Sequence, residues 1–242
     1  YYTAVSVGWN WGYQETPCRE NVIEFNRMHH IGQGMLSDMG GVYTLGIQKG
    51  TVIRNNLIHD VMSHGYGGWG LYTDEGSTEI LLQNNIVYRC KSAGFHQHYG
   101  RDNVIRNNIF AFGREHQLMR SREESHNSFV FERNIVYLDS GDVLGSYWSN
   151  NNFRIDHNVY FDTRTGAAPE AMKFAGVPLK EWQSRGHDRN SIIADPRFVD
   201  ASRNDFRLKV DSPALKIGFE PIDASDIGIR RKYRKQVHDT EP

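Results

Sequence analysis

An asparagine that opens a short apolar run, repeated six times, constrains the fold more than any other feature of this chain. The segments "NVIEFNRMHHIG" from residue 21, "TVIRNNLIHDVM" from 51, "EILLQNNIVYRC" from 79, "NVIRNNIFAFG" from 103, "SFVFERNIVYLD" from 128 and "NFRIDHNVYFD" from 152 align on Asn26, Asn56, Asn85, Asn108, Asn134 and Asn158. Successive anchors lie 30, 29, 23, 26 and 24 residues apart. A period of about 20 to 30 residues with variable insertions marks a solenoid, whose repeats bury their apolar faces on one another. An alternating stretch such as Val52-Ile53-Arg54 precedes each anchor and a second, such as Leu57-Ile58-His59, follows it, so two strands meet there. Asparagine enters the left-handed backbone region more easily than other non-glycine residues, and the anchor is expected to make the turn itself. Stacked in successive turns, its amide can also bond to the copies above and below. The pattern predicts an all-β fold, a right-handed parallel β-helix forming a single-stranded solenoid. A propeller needs four strands and about 40 residues per blade, and a leucine-rich repeat needs regular leucines; neither fits.

The rhythm breaks between Thr163 and Arg189. There "PLKEWQSRG" starts with a proline suited to a first helical turn and ends with a glycine, which predicts a short helical excursion. Residues 1–162 are read as rungs with active-site loops, 163–190 as a helical or loop insertion, and 191–242 as a final rung, cap and tail. Together they form one domain, expected to belong to a larger protein. The basic "RRKYRK" at 230–235 reads as a solvated end. Lysine plus arginine number 28 against 29 acidic residues, which gives no electrostatic case for nucleic acid or an anionic membrane. No apolar run approaches the ~20 residues of a spanning helix. The start, "YYTAVSVGWNWG", is strand-like and has neither an initiator Met nor a signal-peptide pattern, so a longer precursor or a fragment is expected. An N-terminal segment or a second chain should then cap the first rung, because an open solenoid end exposes strand edges. Cys18 and Cys90 read as unpaired thiols. No cofactor is expected, and no metal: "HQH" at 96–98 puts two imidazoles on one strand face but lacks a third ligand at a recognised spacing.

Chemistry-bearing residues concentrate in insertions upstream of the repeated strands: "GMLSDMGGVYTLG", "MSHGYGGWGLYTDEGS", "CKSAGFHQHYG" and "HQLMRSREESH". Counting back from each anchor makes Tyr43, Tyr72, Phe95 and Ser121 equivalent. Strand alternation then turns Thr44, Thr73, His96 and Arg122 to the other face, which favours Glu75, His96, His98 and Arg122 as groove residues. Glycoside hydrolysis needs two carboxylates flanking the sugar bond, and Asp38, Asp74 and Glu75 are the candidates. Neighbouring rungs about 4.8 Å apart permit the ~5 Å separation of a retaining pair. Trp9, Trp11, Tyr43, Trp69 and Tyr72 offer flat faces for sugar rings. His96, His98, Arg120, Arg122 and Glu123 offer hydrogen bonds to sugar hydroxyls. His30 and His59 follow the strand repeat and read as structural.

"SDMGGVYTLG", "GGWGLYTDEGS", "GFHQHYGRDNVIRNNIFAF" and the closing "DPRFVD…NDFRLKVDSPALKIG" resemble bacterial right-handed parallel β-helix repeat proteins of carbohydrate degradation. The nearest similarity is to the C-terminal portion of glycoside hydrolase family 141 and its relatives. The resemblance implies a secreted or periplasmic bacterial enzyme acting on an oligo- or polysaccharide, with Asp38 and Asp74 as the catalytic aspartates. Three functions follow as expectations. The first is a glycoside hydrolase for plant or host glycans. The second is a polysaccharide lyase, in which His96 or His98 takes a proton while Arg120 or Arg122 neutralises a sugar carboxylate. The third is a carbohydrate-binding β-helix without turnover.

Overall fold

The computed structural model describes residues 3–229, except 167 and 169; the 230–235 basic run lies outside the described residues. The chain winds through three parallel sheets. Strands preceding the anchors, Val22–Glu24, Val52–Arg54, Leu81–Gln83, Asn103–Arg106, Phe129–Glu132 and Arg154–Asp156, stack into one sheet of six. Those following them, Arg27–Ile31, Leu57–Val61, Ile86–Cys90, Ile109–Ala111, Ile135–Leu138 and Val159–Asp162, join Ile192–Ile193 in a sheet of seven. The third sheet holds Val5–Val7, Gly40–Thr44, Trp69–Thr73, Ala93–Gln97, His116–Arg120 and Asp142–Ser146. The predicted parallel β-helix is therefore present.

Each sheet contributes a column of inward apolar side chains. Ile23, Ile53, Leu82, Ile105, Phe131 and Ile155 are paired in register, as are Val42, Leu71, Phe95, Leu118 and Leu144. With Met28, Ile58, Val87, Phe110, Val136 and Tyr160 they fill one core. Each rung buries its apolar face on its neighbours, so stacking keeps water out of the solenoid along its whole length.

The anchors form the expected amide ladder. Nδ2 of Asn26, Asn56, Asn85 and Asn108 each donates at 3.0 Å to Oδ1 of the next anchor, and Asn134 donates to Asn158 at 3.3 Å. The turn itself departs from expectation. Positive φ falls on the residue before each anchor, at Phe25, Asn55, Asn84, Asn107, Arg133 and His157, and not on the anchor. The reason lies in the ladder: the preceding residue takes the left-handed conformation, which leaves the anchor amide pointing along the stack.

The predicted helix is Leu179–Ser184. Its Trp182 joins Phe174 in the core and closes the C-terminal end of the stack. Fully buried Asp188 accepts hydrogen bonds from Tyr160, Trp182 Nε1 and Ser191, and from Asn158 Nδ2 at 3.2 Å, so the amide ladder ends on a carboxyl. Beyond Ile193 the chain doubles back outside the seven-stranded sheet, packing Phe198, Phe206 and Phe219 on Ile86, Tyr88, Ile109 and Ile135. Gly228 N then donates to Phe25 O at 2.9 Å, beside the first anchor. Among the described residues, no helix is long and apolar enough to cross a membrane.

Candidate active site

The third sheet carries the candidate site on its outer face. Pairing places Tyr43, Tyr72, His96, Met119 and Gly145 in one outward column, with Thr44, Thr73, Gln97 and Arg120 in a neighbouring inward one. The register expected from the sequence is thus corrected by one residue at Phe95, which belongs to the core, and by two at Ser121. The two threonines expected outside are buried. Once His96 replaces Phe95 beside Tyr72, Asp74 follows the outward column instead of opposing it.

A cleft of about 280 Å³ opens over this column. It brings together Asp38, Asp74 and Glu75, the rings of Trp11, Tyr43, Trp69 and Tyr72, and both His96 and His98. Tyr66, Met119 and Ser121 complete the lining. Two long corner insertions build one wall. Asp38 sits in the first, with φ of 51°, and its backbone N–H donates to Tyr66 O in the second at 3.0 Å. Gly67 makes this interlock possible: at φ of 102°, any Cβ there would stand 2.7 Å from Asp38 N.

The Tyr72 hydroxyl stands between the two aspartates. It donates to Asp38 Oδ1 at 3.1 Å and also interacts with Asp74. Tyr43 donates to Asp74 Oδ2 at 2.7 Å, and His98 Nδ1 lies 3.8 Å from Asp74 Oδ1. Burial raises the Asp74 pKa, while the hydrogen bonds from Tyr43 and Tyr72 oppose the rise. Burial, reinforced by the charges of Asp74 and Asp38, drives the Tyr72 hydroxyl far above its ordinary value and keeps it protonated. Glu75 is held apart by Tyr99, whose hydroxyl donates to Oε2 at 2.9 Å; burial first and Glu75 second push that hydroxyl up to about 12.

His96 is closed off from solvent and stacks on Tyr72, with ring centroids 4.8 Å apart. Burial takes its pKa well below the usual imidazole value, so the ring is neutral and its Nε2 pairs with Ser121 Oγ at 2.8 Å. Trp69 donates its indole N–H to Met119 Sδ at 3.3 Å, which fixes the cleft floor.

Four sequence candidates stand outside the cleft. Trp9 is 63% exposed and does not line it. Arg120 faces inward, where its guanidinium bonds to Tyr147 O, Asn150 Oδ1 and Glu123 Oε1 and lies over the Phe153 ring. Glu123 is occupied by that arginine and by Ser149. Arg122 lies over the ring of Tyr99, 4.3 Å from its centroid. The sequence reading passed over Tyr66, Met119 and Ser121; Met119 becomes visible once the outward column is set correctly.

Among the described residues, one metal-type grouping occurs elsewhere, where ligand atoms of His30, His59 and Asp60 lie within 4.8 Å of one another. Asp60 is already gripped by both Nε and Nη2 of Arg89 at 2.8 Å and by His59 at 2.6 Å. His59 is itself stacked between His29 and Tyr88. A matched carboxylate and sandwiched ring make this a structural ladder on the sheet.

No curated protein matches the chain. The family model for the right handed beta helix region matches residues 12–168, more than half of the chain, and includes every residue of the cleft except Trp11. With three parallel sheets wound around one core, this chain belongs to the right-handed β-helix family.

Proposed function

We propose that the protein is a glycoside hydrolase acting on plant or host glycans, with Asp74 as general acid and Asp38 as nucleophile or base. The observation that carries this reading is that Asp38 and Asp74 line one aromatic cleft with the Tyr72 hydroxyl, which donates to Asp38 and interacts with Asp74. Asp74 is the more deeply buried, and burial favours its protonated form, as a proton donor to a leaving oxygen requires. Asp38 accepts a hydrogen bond from the Tyr72 hydroxyl at 3.1 Å and also interacts with the Tyr66 hydroxyl. Glu75 is the substitute carboxylate. The Tyr43 ring offers an apolar face to the sugar, and the buried Trp69 forms the cleft floor.

The resemblance of the cleft motifs to glycoside hydrolase family 141 supports the same reading, and with it a secreted or periplasmic bacterial setting. A lyase is less well supported. Elimination needs a cation to neutralise the sugar carboxylate, and none of the described residues lining the cleft is Lys or Arg. The test is digestion of a panel of plant and host glycans with product analysis. Asp38→Asn and Asp74→Asn should each reduce turnover at least ~10²-fold while leaving the circular dichroism spectrum unchanged. Undiminished turnover in both variants refutes the assignment. A product with a new ultraviolet-absorbing double bond would establish the lyase instead.

A further inference from the structure

The segment between the first strand of the site sheet and the first strand of the anchor sheet does not turn the corner within its own rung. It climbs. Gly8 lies against Leu45 O, so closely that a Cβ would come within 2.0 Å of it. Further along, Gly12 N donates to Glu75 O at 3.4 Å, and a Cβ on Gly76 would stand 2.1 Å from Gly12 O. Tyr13 then reaches the loop that follows His116–Arg120, four strands away from Val5–Val7 in the sheet, or roughly 19 Å at 4.8 Å per strand. The chain afterwards descends, and Thr16 Oγ1 donates to Ile47 O at 3.4 Å.

The tip is fastened in a polar socket. The Tyr13 hydroxyl donates to Glu124 Oε2, a charge-assisted bond, and lies 3.1 Å from His126 Nε2. Its ring meets Tyr99 edge-on at 5.8 Å. The socket is braced in turn, because Glu124 O accepts from the side-chain amides of Asn150 and Asn152. Between the two ends, Trp11 lines the cleft and is nevertheless 70% exposed. A tryptophan held at a cleft mouth by contacts made two residues away has an arrangement suited to stacking on a ligand and of little use to the core.

We propose that residues 8–16 form a latched strap that holds Trp11 as the stacking platform for the sugar unit adjoining the one in the cleft, with Tyr13 as the positioning residue. This rests on the carbohydrate reading above and adds to it a second, outer subsite. The strap sets how firmly that outer unit is held.

Hydrogen exchange followed by mass spectrometry reads the latch, and binding to an immobilised array of plant and host oligosaccharides reads the platform. Tyr13→Phe, which keeps the ring and removes the hydroxyl, should speed exchange of the 9–15 amides about tenfold or more and leave the other rungs unchanged. Trp11→Ala, at an exposed position, should leave exchange of the rungs as it is. Both variants should weaken binding of oligosaccharides about tenfold while binding of the matching monosaccharide changes little. Trp11→Phe should recover part of the loss. Unchanged exchange in Tyr13→Phe overturns the latch. Faster exchange with undiminished binding, or wild-type binding by Trp11→Ala, overturns the platform. If the wild-type protein binds no glycan on the array, the platform falls together with the carbohydrate reading, whereas the exchange result still stands on its own.

Discussion

An anchor asparagine, Asn85, and a turning asparagine, Asn55, should behave as opposites when substituted. Asn85 is an anchor with no exposed surface. Its Oδ1 accepts from the backbone N–H of Asn56 at 3.1 Å and from Asn56 Nδ2 at 3.0 Å. Its Nδ2 donates to Ile53 O at 2.9 Å and to Asn108 Oδ1 at 3.0 Å. Replacement by alanine strands the buried Asn56 N–H, and Asn56 Nδ2 falls back on its bonds to Ile23 and Arg54 carbonyls. One orphaned donor costs about 1–3 kcal/mol. With the small cavity left by the missing amide, Asn85→Ala should lose about 3 kcal/mol. Asn85→Gly should lose at least as much, because no freedom of φ replaces the amide. Asn55 sits at φ of 52° and its side chain makes no hydrogen bond among the described residues, so only the backbone conformation is at stake. Asn55→Ala should cost about 1 kcal/mol or less and Asn55→Gly close to nothing. Urea titration followed by far-ultraviolet circular dichroism compares the midpoints. Equal losses at the two positions, or rescue of position 85 by glycine, would refute the division between a turning residue and a bonding residue.

Two further outcomes follow from buried groups. Burial holds the His96 pKa well below its unfolded value of 6.5, so the unfolded chain binds the proton more readily. Its stabilising contribution is present above pH 6.5 and is lost as pH falls from there through the folded value. His96→Gln should therefore flatten the acid side of the stability profile by up to ~1.4 kcal/mol per pH unit just below pH 6, and an unaltered slope would show that the ring titrates normally. Trp182 fills the C-terminal end of the core and donates to Asp188. Trp182→Ala should cost about 3–5 kcal/mol and open the last rungs first, as faster exchange in the Val159–Asp162 strand; uniform loosening of all rungs would argue against an end cap.

What the sequence disclosed and what it concealed follow from the same geometry. The anchor asparagines are legible because one physical requirement, an amide that bonds above and below, recurs in every turn. That recurrence also fixes the strands on either side of the anchor. It does not identify which residue bends the chain. Phe25, Arg133 and His157 occupy the left-handed position in their turns as Asn55 does in its own, so residue type carries little signal there. The acidic candidates stood out by composition alone: three carboxylates beside glycines, in insertions that interrupt the repeat.

The facing of the site was harder to read, because the corner between the site sheet and the next anchor varies in length. Tyr43, Tyr72, His96, Met119 and Gly145 precede their following anchors by 13, 13, 12, 15 and 13 residues. A backward count of 13 fails at His96 by one and at Met119 by two, and a slip of one exchanges the inward and outward faces. Counted forward from the preceding anchor, the same column lies at 17, 16, 11, 11 and 11. The constant 11 marks rungs that turn the corner economically. The two longer values belong to the rungs whose extra residues carry Asp38 and Tyr66. Departure from the minimal rung is therefore the signal that locates the cleft: residues beyond those needed to close a turn have no place in the stack, and here they wall a face where carboxylates and aromatics meet.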